Sequence, residues 1–326
     1  MADLTTTYMG LALKNPVIIG SCGLTNSVGE IKKMETHGAA AVVLKSIFEE
    51  QIMMESDSLS STHPLHSAEA DYINYYTRQH NLHNYLKLIE KAKKEVSIPV
   101  IASINCATST SQWASFAKTI ERSGADGLEL NIFILTGNSK QKGEEIEKIY
   151  LEIIDEVKQQ VTIPLAVKIG FYFSSLANRI FNLSLRGISG IVLFNRFLRP
   201  DIDLEKEEIT TGNVFSVPEE ISTPLRWVGM MSKEVKCDLC AATGIHDGYG
   251  IVKCLLAGAK AAQVVSAIYK KGPRQIGAMI KEIEAWMNDH KYKTIKDFNG
   301  KLAQENIKNP ILYERTQFMK YYSSRK

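Results

Sequence analysis

Residues 163–170 read IPLAVKIG, an apolar run entered through a proline and broken only by Lys168 near its end. A short, continuous apolar stretch suits a strand covered on both faces, as in a parallel sheet packed between helices. Segments of helical period flank it, over 144–160 and 175–185, and RGISG at Arg186 turns the chain into the next apolar run. The same rhythm extends in both directions. Upstream lie NPVIIGS from Asn15, AAVVLKS from Ala40, IPVIASIN from Ile98 and DGLELNIF from Asp126. Downstream lie SGIVLFN from Ser189, CDLCAATGI from Cys237 and KAAQVVSAI from Lys260.

Helices are expected between these runs over 28–37, 82–95, 111–122, 223–234, 248–256 and 273–288. Glycines stand where a helix must turn into a strand, in HGAA at His37, SGADG at Ser123 and AGAK at Ala257. Eight strand–helix alternations predict an α/β fold closed as a (β/α)₈ TIM barrel before they predict an open sheet. The barrel is assigned to residues 1–302, with a charged extension over 303–326. Two segments interrupt the rhythm, 47–80 and 196–222. Both follow C-terminal strand ends, where barrel enzymes place their active sites, so they read as insertions that cover substrate.

The bulk numbers admit one large core. The chain has 326 residues, 44% hydrophobic and 23% charged, within the range of a single α/β barrel. A net charge of +3 gives no case for nucleic acid or an acidic membrane. No window reaches the roughly 18 apolar residues of a membrane span, and the reading is cytoplasmic. Five cysteines argue against a disulfide framework. Cys237 and Cys240 form an isolated CxxC inside an apolar run, read as strand, and no metal is expected.

At the C-terminal strand ends, polar side chains converge on one mouth. The residues so placed are Ser21, Lys45, Ser46, Asn105, Asn131, Lys168, Asn195, Thr243, Gly244 and Ser266. Lys45 and Lys168 each end an apolar run, and a buried ammonium requires an anionic or electron-rich partner. The alternatives are an ion pair with a nearby carboxylate or a side chain reaching the rim. Asn131 and Asn195 offer a donor and an acceptor in one rigid amide, which suits a flat heterocycle; a capped loop is the other reading. Backbone NH groups after the seventh and eighth runs form a corner suited to a phosphate.

These residues, in this order, resemble the class 1 dihydroorotate dehydrogenases. NPVIIGSCG is similar to the family's NP…ASG, LKS at Leu44 to its TKS, LELN at Leu128 to the start of ELNLSCPN. AVKI at Ala166 is similar to VKL, and TIKDFNGKL at Thr294 to the closing S-DFHGKL. The resemblance implies FMN at the mouth, with contacts falling on Gly20, Ser21, Lys45, Ser46, Asn105, Asn131, Lys168, Gly244 and Ser266. Lys45, Asn131 and Asn195 would also face a small-molecule substrate, and the family likeness implies a homodimer.

The departures bear on activity. Where the family's catalytic cysteine stands, this chain has Ile134, which cannot accept a proton. Thr136 and Ser139 are the nearby hydroxyls left as candidate bases. DYINYYTRQHNLHN from Asp71 keeps asparagines but not the family's NSMGLPN pattern. Val217, Thr243 and Val265 replace glycines of the phosphate site. The leading expectation is oxidation of dihydroorotate or a related cyclic amide by hydride transfer to flavin. The alternatives are a flavin-binding paralogue without that activity, or a non-redox lyase or isomerase acting on a phosphorylated substrate.

Overall fold

The structure, a computed structural model, describes residues 2–48, 82–106, 112–197 and 199–314. Strands are numbered β1 (Thr6–Tyr8), β2 (Leu11–Leu13), β3 (Val17–Ile19), β4 (Ala41–Val43), β5 (Ile47–Phe48), β6 (Val100–Cys106) and β7 (Gly127–Ile132). They continue as β8 (Leu165–Ile169), β9 (Gly190–Leu193), β10 (Pro200–Asp203), β11 (Glu208–Thr211), β12 (Asp238–Ala242) and β13 (Ala261–Val264). Eight parallel strands run β4-β3-β13-β12-β9-β8-β7-β6, and a β4–β6 pairing closes the ring. The expected TIM barrel is therefore the observed fold.

Period-two alternation divides each strand's side chains between two cores. Residues such as Val42, Ile104, Leu130 and Val167 face the helices. Ile18, Ala41, Val43, Ile101, Ala166, Val192, Cys240 and Ala261 fill the barrel interior. The antiparallel β1–β2 hairpin, which sequence reading did not separate, closes the N-terminal end. It inserts Tyr8, Met9 and Leu13 into the inner core, and Met9 N donates to Asp238 Oδ2 at 3.0 Å. Tyr8 lies so close to Gly190 that a Cβ there would meet its ring at 2.9 Å.

One anchoring device appears twice at that end. Glu35, in the helix Val28–Thr36, accepts from Ser97 N, Ser97 Oγ and Ile98 N with one carboxylate oxygen. Glu121, in the helix Gln112–Arg122, accepts from Thr162 N, Thr162 Oγ1 and Ile163 N in the same way. Each carboxylate pins the Ser/Thr-Ile-Pro entry of the strand that follows the next helix, and so sets where β6 and β8 begin.

The structure differs from expectation in two places. The apolar run KAAQVVSAI does not stay extended: β13 ends at Val264 and Ser266–Lys271 is a separate short helix before Arg274–Asp289. The insertion 196–222 carries an antiparallel hairpin, β10–β11. That hairpin was illegible because neither face is buried, so its sequence carries no apolar alternation. Past Leu302 the chain stays on the barrel. Ala303 is buried, and the Tyr313 ring covers Gly229 in the helix Ser222–Met231. No described helix is long and apolar enough to cross a membrane.

Candidate active site

Counting inward by two along the strands brings Ser103 and Asn105 (β6), Glu129 and Asn131 (β7), Lys168 (β8) and Gln263 (β13) to the barrel axis. Lys168 Nζ donates to Gln263 Oε1 at 2.9 Å, and Gln263 Nε2 donates to Glu129 Oε2 at 2.5 Å. All three are buried. The partner of Lys168 is thus an amide backed by a carboxylate, an arrangement between the two readings of the buried ammonium.

A hydroxyl chain lies beside it. Ser21 Oγ is 3.0 Å from Ser46 Oγ and accepts from Ser46 N, while Ser46 Oγ is 2.8 Å from Ser103 Oγ. Tyr85 secures the far end, its OH donating to Ser103 O and accepting from Ser103 N. Across the mouth, Asn195 Nδ2 donates to Asn131 Oδ1 at 3.0 Å. Asn105 lies in register with Asn131 and with Phe48. Lys45 is half-buried at the end of β4; burial lowers its ammonium below the ordinary lysine value, and the Cys22 thiol opposes that shift.

A cavity of about 430 Å³ opens at the C-terminal ends of β8, β9, β12, β13 and β3, within the size range of small-ligand sites. Its lining includes Ser21, Lys168, Asn195, Gly244 and Ser266 from the expected set, with Thr243, Gln263, Val265, Phe215 and Tyr269. Asn131 and Ser46 connect to it through Asn195 and Ser21. Gly20 does not line it: it is buried where a Cβ would meet Val265 Cγ2 at 3.0 Å and Gln263 Oε1 at 3.1 Å.

The expected phosphate corner is built from a turn and a strap. Thr243 adopts φ 81, a left-handed conformation that glycine takes more readily, and its Oγ1 donates to Phe194 O. At Gly244 a Cβ would meet Ile221 N at 2.1 Å, so only glycine fits there. Ser216 straps the opening: its N donates to Ser266 Oγ, its O accepts from Lys270 Nζ, and its Oγ lies 3.0 Å from His246 Nε2. Burial first, then Lys270 and Lys271, push the His246 imidazole below its ordinary value, so the ring is neutral at neutral pH.

The loop after β7 is apolar and aromatic. Phe133 packs edge-on to Phe197 with ring centroids 4.7 Å apart, Phe197 meets Tyr172 at 4.6 Å, and Tyr172 stacks on Phe171 at 4.7 Å. Ile134 packs against the outer core, its N donating to Tyr150 OH. Thr136 Oγ1 accepts from Asn138 N in a local turn, and Ser139 is exposed. Neither hydroxyl is among the residues lining the cavity. Of the stretch 71–84, residues 71–81 lie outside those described.

Sequence reading missed Glu129, Gln263, Ser103 and Ser216. The first three sit inside apolar runs, and counting back two positions from Asn131 and Asn105 would have found Glu129 and Ser103. Ser216 carries no such signal, because a long insertion places it.

The family model for dihydroorotate dehydrogenase matches residues 3–287. Among curated proteins, the catalytic subunit of dihydroorotate dehydrogenase B (NAD(+)) from Thermoplasma acidophilum is 26% identical over 313 residues, covering 92% of this chain and 99% of the relative. Dihydroorotate dehydrogenase A (fumarate) from Lactococcus lactis is 24% identical, covering 92% and 99%. Chloroplastic dihydropyrimidine dehydrogenase (NADP(+)) from Arabidopsis thaliana is 23% identical, covering 93% and 77%. Among solved structures, the crystal structure of DHODH from Eimeria tenella in complex with ferulenol has a TM-score of 0.67 at 17% identity, covering 91% of this chain and 88% of that one. That likeness concerns the fold.

Proposed function

The chain belongs to the dihydroorotate dehydrogenase family, and from that premise we propose that it is an FMN-dependent oxidoreductase acting on a CH–CH bond of dihydroorotate or a related cyclic amide. The observation that carries this reading is the cavity at the strand ends. It places a buried ammonium, Lys168, and a cross-linked amide pair, Asn195 and Asn131, around a largely apolar hollow.

The donor set fits a flavin mononucleotide. Lys168 uses one of its three donors on Gln263 and has two to offer a ring edge that gains negative charge. Asn195 and Asn131 present amides to a ring of alternating NH and C=O groups, and Ser21 adds a hydroxyl. The Thr243–Gly244 turn and Ser266 would hold the phosphate, Lys45, Ser46 and Asn105 stand at neighbouring strand ends, and Gly20 lies buried behind Val265 and Gln263. When bound, FMN supplies two-electron chemistry that no side chain here has. The protein's part is to hold the reacting rings in place and exclude water, with Lys45, Asn131 and Asn195 as the substrate contacts.

Ile134 favours a second reading, a flavin-binding paralogue with little dihydroorotate turnover. By the motif resemblance the family's proton acceptor would fall at Ile134, whose side chain packs against the core, and Thr136 and Ser139 would be the hydroxyls left in that loop. Flavin absorbance of the purified chain tests both readings. Turnover with dihydroorotate and an artificial electron acceptor separates the enzyme from the paralogue.

A further inference from the structure

Glu129 is 1% exposed, yet no step of the chemistry above uses it. Its Oε2 accepts from Gln263 Nε2, and its Oε1 has no hydrogen-bond partner among the described residues. Gln263, 3% exposed, spans from that carboxylate to the ammonium of Lys168. A primary amide has one acceptor end and one donor end in a fixed plane, whereas an ammonium only donates and a carboxylate only accepts. Between such partners the amide has a single satisfactory orientation. Flipped, it would set NH₂ against NH₃⁺ and C=O against COO⁻, two repulsions in a dry interior.

We propose that Glu129 is a positioning residue for Lys168: through the Gln263 amide it fixes the ammonium at the cavity floor and supplies its buried counter-charge. This concerns the floor of the site that the preceding reading gives to a flavin, and rests on that reading only where the cofactor is involved. The other groups acting on Glu129 are the buried Tyr8 and Tyr85 phenols and the Cys240 thiol. Each is raised above its ordinary value chiefly by burial and is neutral at neutral pH, so among the described residues Lys168 is the one opposite charge acting on the carboxylate. Burial, the largest effect, raises the Glu129 carboxyl above the ordinary value, and Lys168 and then Gln263 act in the opposite direction without cancelling it.

The test reads Lys168 directly, by competitive acylation of the full-length protein and peptide mass spectrometry, with the exposed Lys148 as internal reference. In Glu129→Gln the loss of an opposite charge should make Lys168 about tenfold more reactive relative to Lys148. Exchanging the two groups, Glu129→Gln with Gln263→Glu, returns a carboxylate to Lys168 and should restore the wild-type rate. Glu129→Met removes the carboxylate with its unpartnered Oε1, leaves Gln263 Nε2 without its acceptor, and should raise reactivity as Glu129→Gln does, giving a second variant should the first fail to fold. A purely structural role would lower the melting temperature and leave Lys168 reactivity unchanged in every folded variant; that result overturns the proposal. Repeating the wild-type labelling with saturating FMN separates the two ideas. Protection of Lys168 supports the flavin reading, whereas absence of protection counts against that reading and leaves the comparison of variants to decide the role of Glu129.

Discussion

Asn195 and Asn131 are joined by a 3.0 Å hydrogen bond across the C-terminal end of β8, so the polar groups of β9 and β7 meet over the strand that carries Lys168. The pair orders two amides before any ligand arrives. Replacing Asn195 with Ala should cost about 1 kcal/mol of stability, the worth of one neutral hydrogen bond, and weaken FMN retention by more than that. Thermal melts and flavin titration of the same preparation check the two effects separately.

The Thr243 position gives a second prediction. Thr243→Gly relieves a left-handed conformation worth about 1–2 kcal/mol and gives up the bond to Phe194 O, worth about 1. The melting temperature should therefore change little. FMN affinity should rise, because the backbone NH groups of the turn become more accessible, and a flavin titration giving weaker binding would remove this account of the phosphate corner.

Glu35 and Glu121 predict a pH signature. Side-chain and backbone donors of Ser97 and Ile98 hold Glu35 below the ordinary carboxylate value against the raising effect of burial, and those of Thr162 and Ile163 do the same for Glu121. A folded value below the unfolded one contributes stability that is present above the unfolded value and lost as pH falls through the folded one. Glu35→Ala or Glu121→Ala should each cost about 1 kcal/mol at pH 7, a figure already discounted for solvent screening. The difference from wild type should shrink below about pH 4 in urea melts.

How much of this was legible depended on burial. The eight barrel strands read clearly because both faces are covered, and Lys168, Asn131 and Asn195 stood out as polar ends of apolar runs. Glu129 and Gln263 did not, since one polar residue inside an apolar strand looks like noise until its partners are known. The β10–β11 hairpin escaped because no core imposes a pattern on it. Ser266 is legible as part of the phosphate corner, but the strap of Ser216 and His246 over it escaped because sequence separations of 30 and 50 residues are bridged there by fold alone.

That hairpin carries a prediction of its own. Ile202 and Ile209 pair across it and are 63% and 83% exposed, with Leu204 at 84%. Exposed apolar residues grouped in this way mark an interaction surface. The chain should sediment as a homodimer at micromolar concentration, and Ile209→Lys should shift it to monomer without loss of melting temperature.

Ile134 sets the expected rate. A positioned base is worth about 10²–10⁴ in rate, so oxidation of dihydroorotate should be slow in wild type and faster by up to that factor in Ile134→Cys, provided the thiol turns from the outer core, where Ile134 packs, to reach the C5 proton. The gain should increase with pH through the region of about 8.5 as the thiol ionises. If wild type is already fast, Thr136 and Ser139 become the residues to replace.

The visible spectrum of the purified chain, recorded before and after anaerobic addition of dihydroorotate, decides whether the barrel mouth holds a working flavin. The account predicts a flavin spectrum equivalent to one FMN per chain, bleaching slowly in wild type and faster in Ile134→Cys. A folded protein that is colourless and takes up no added FMN would contradict it.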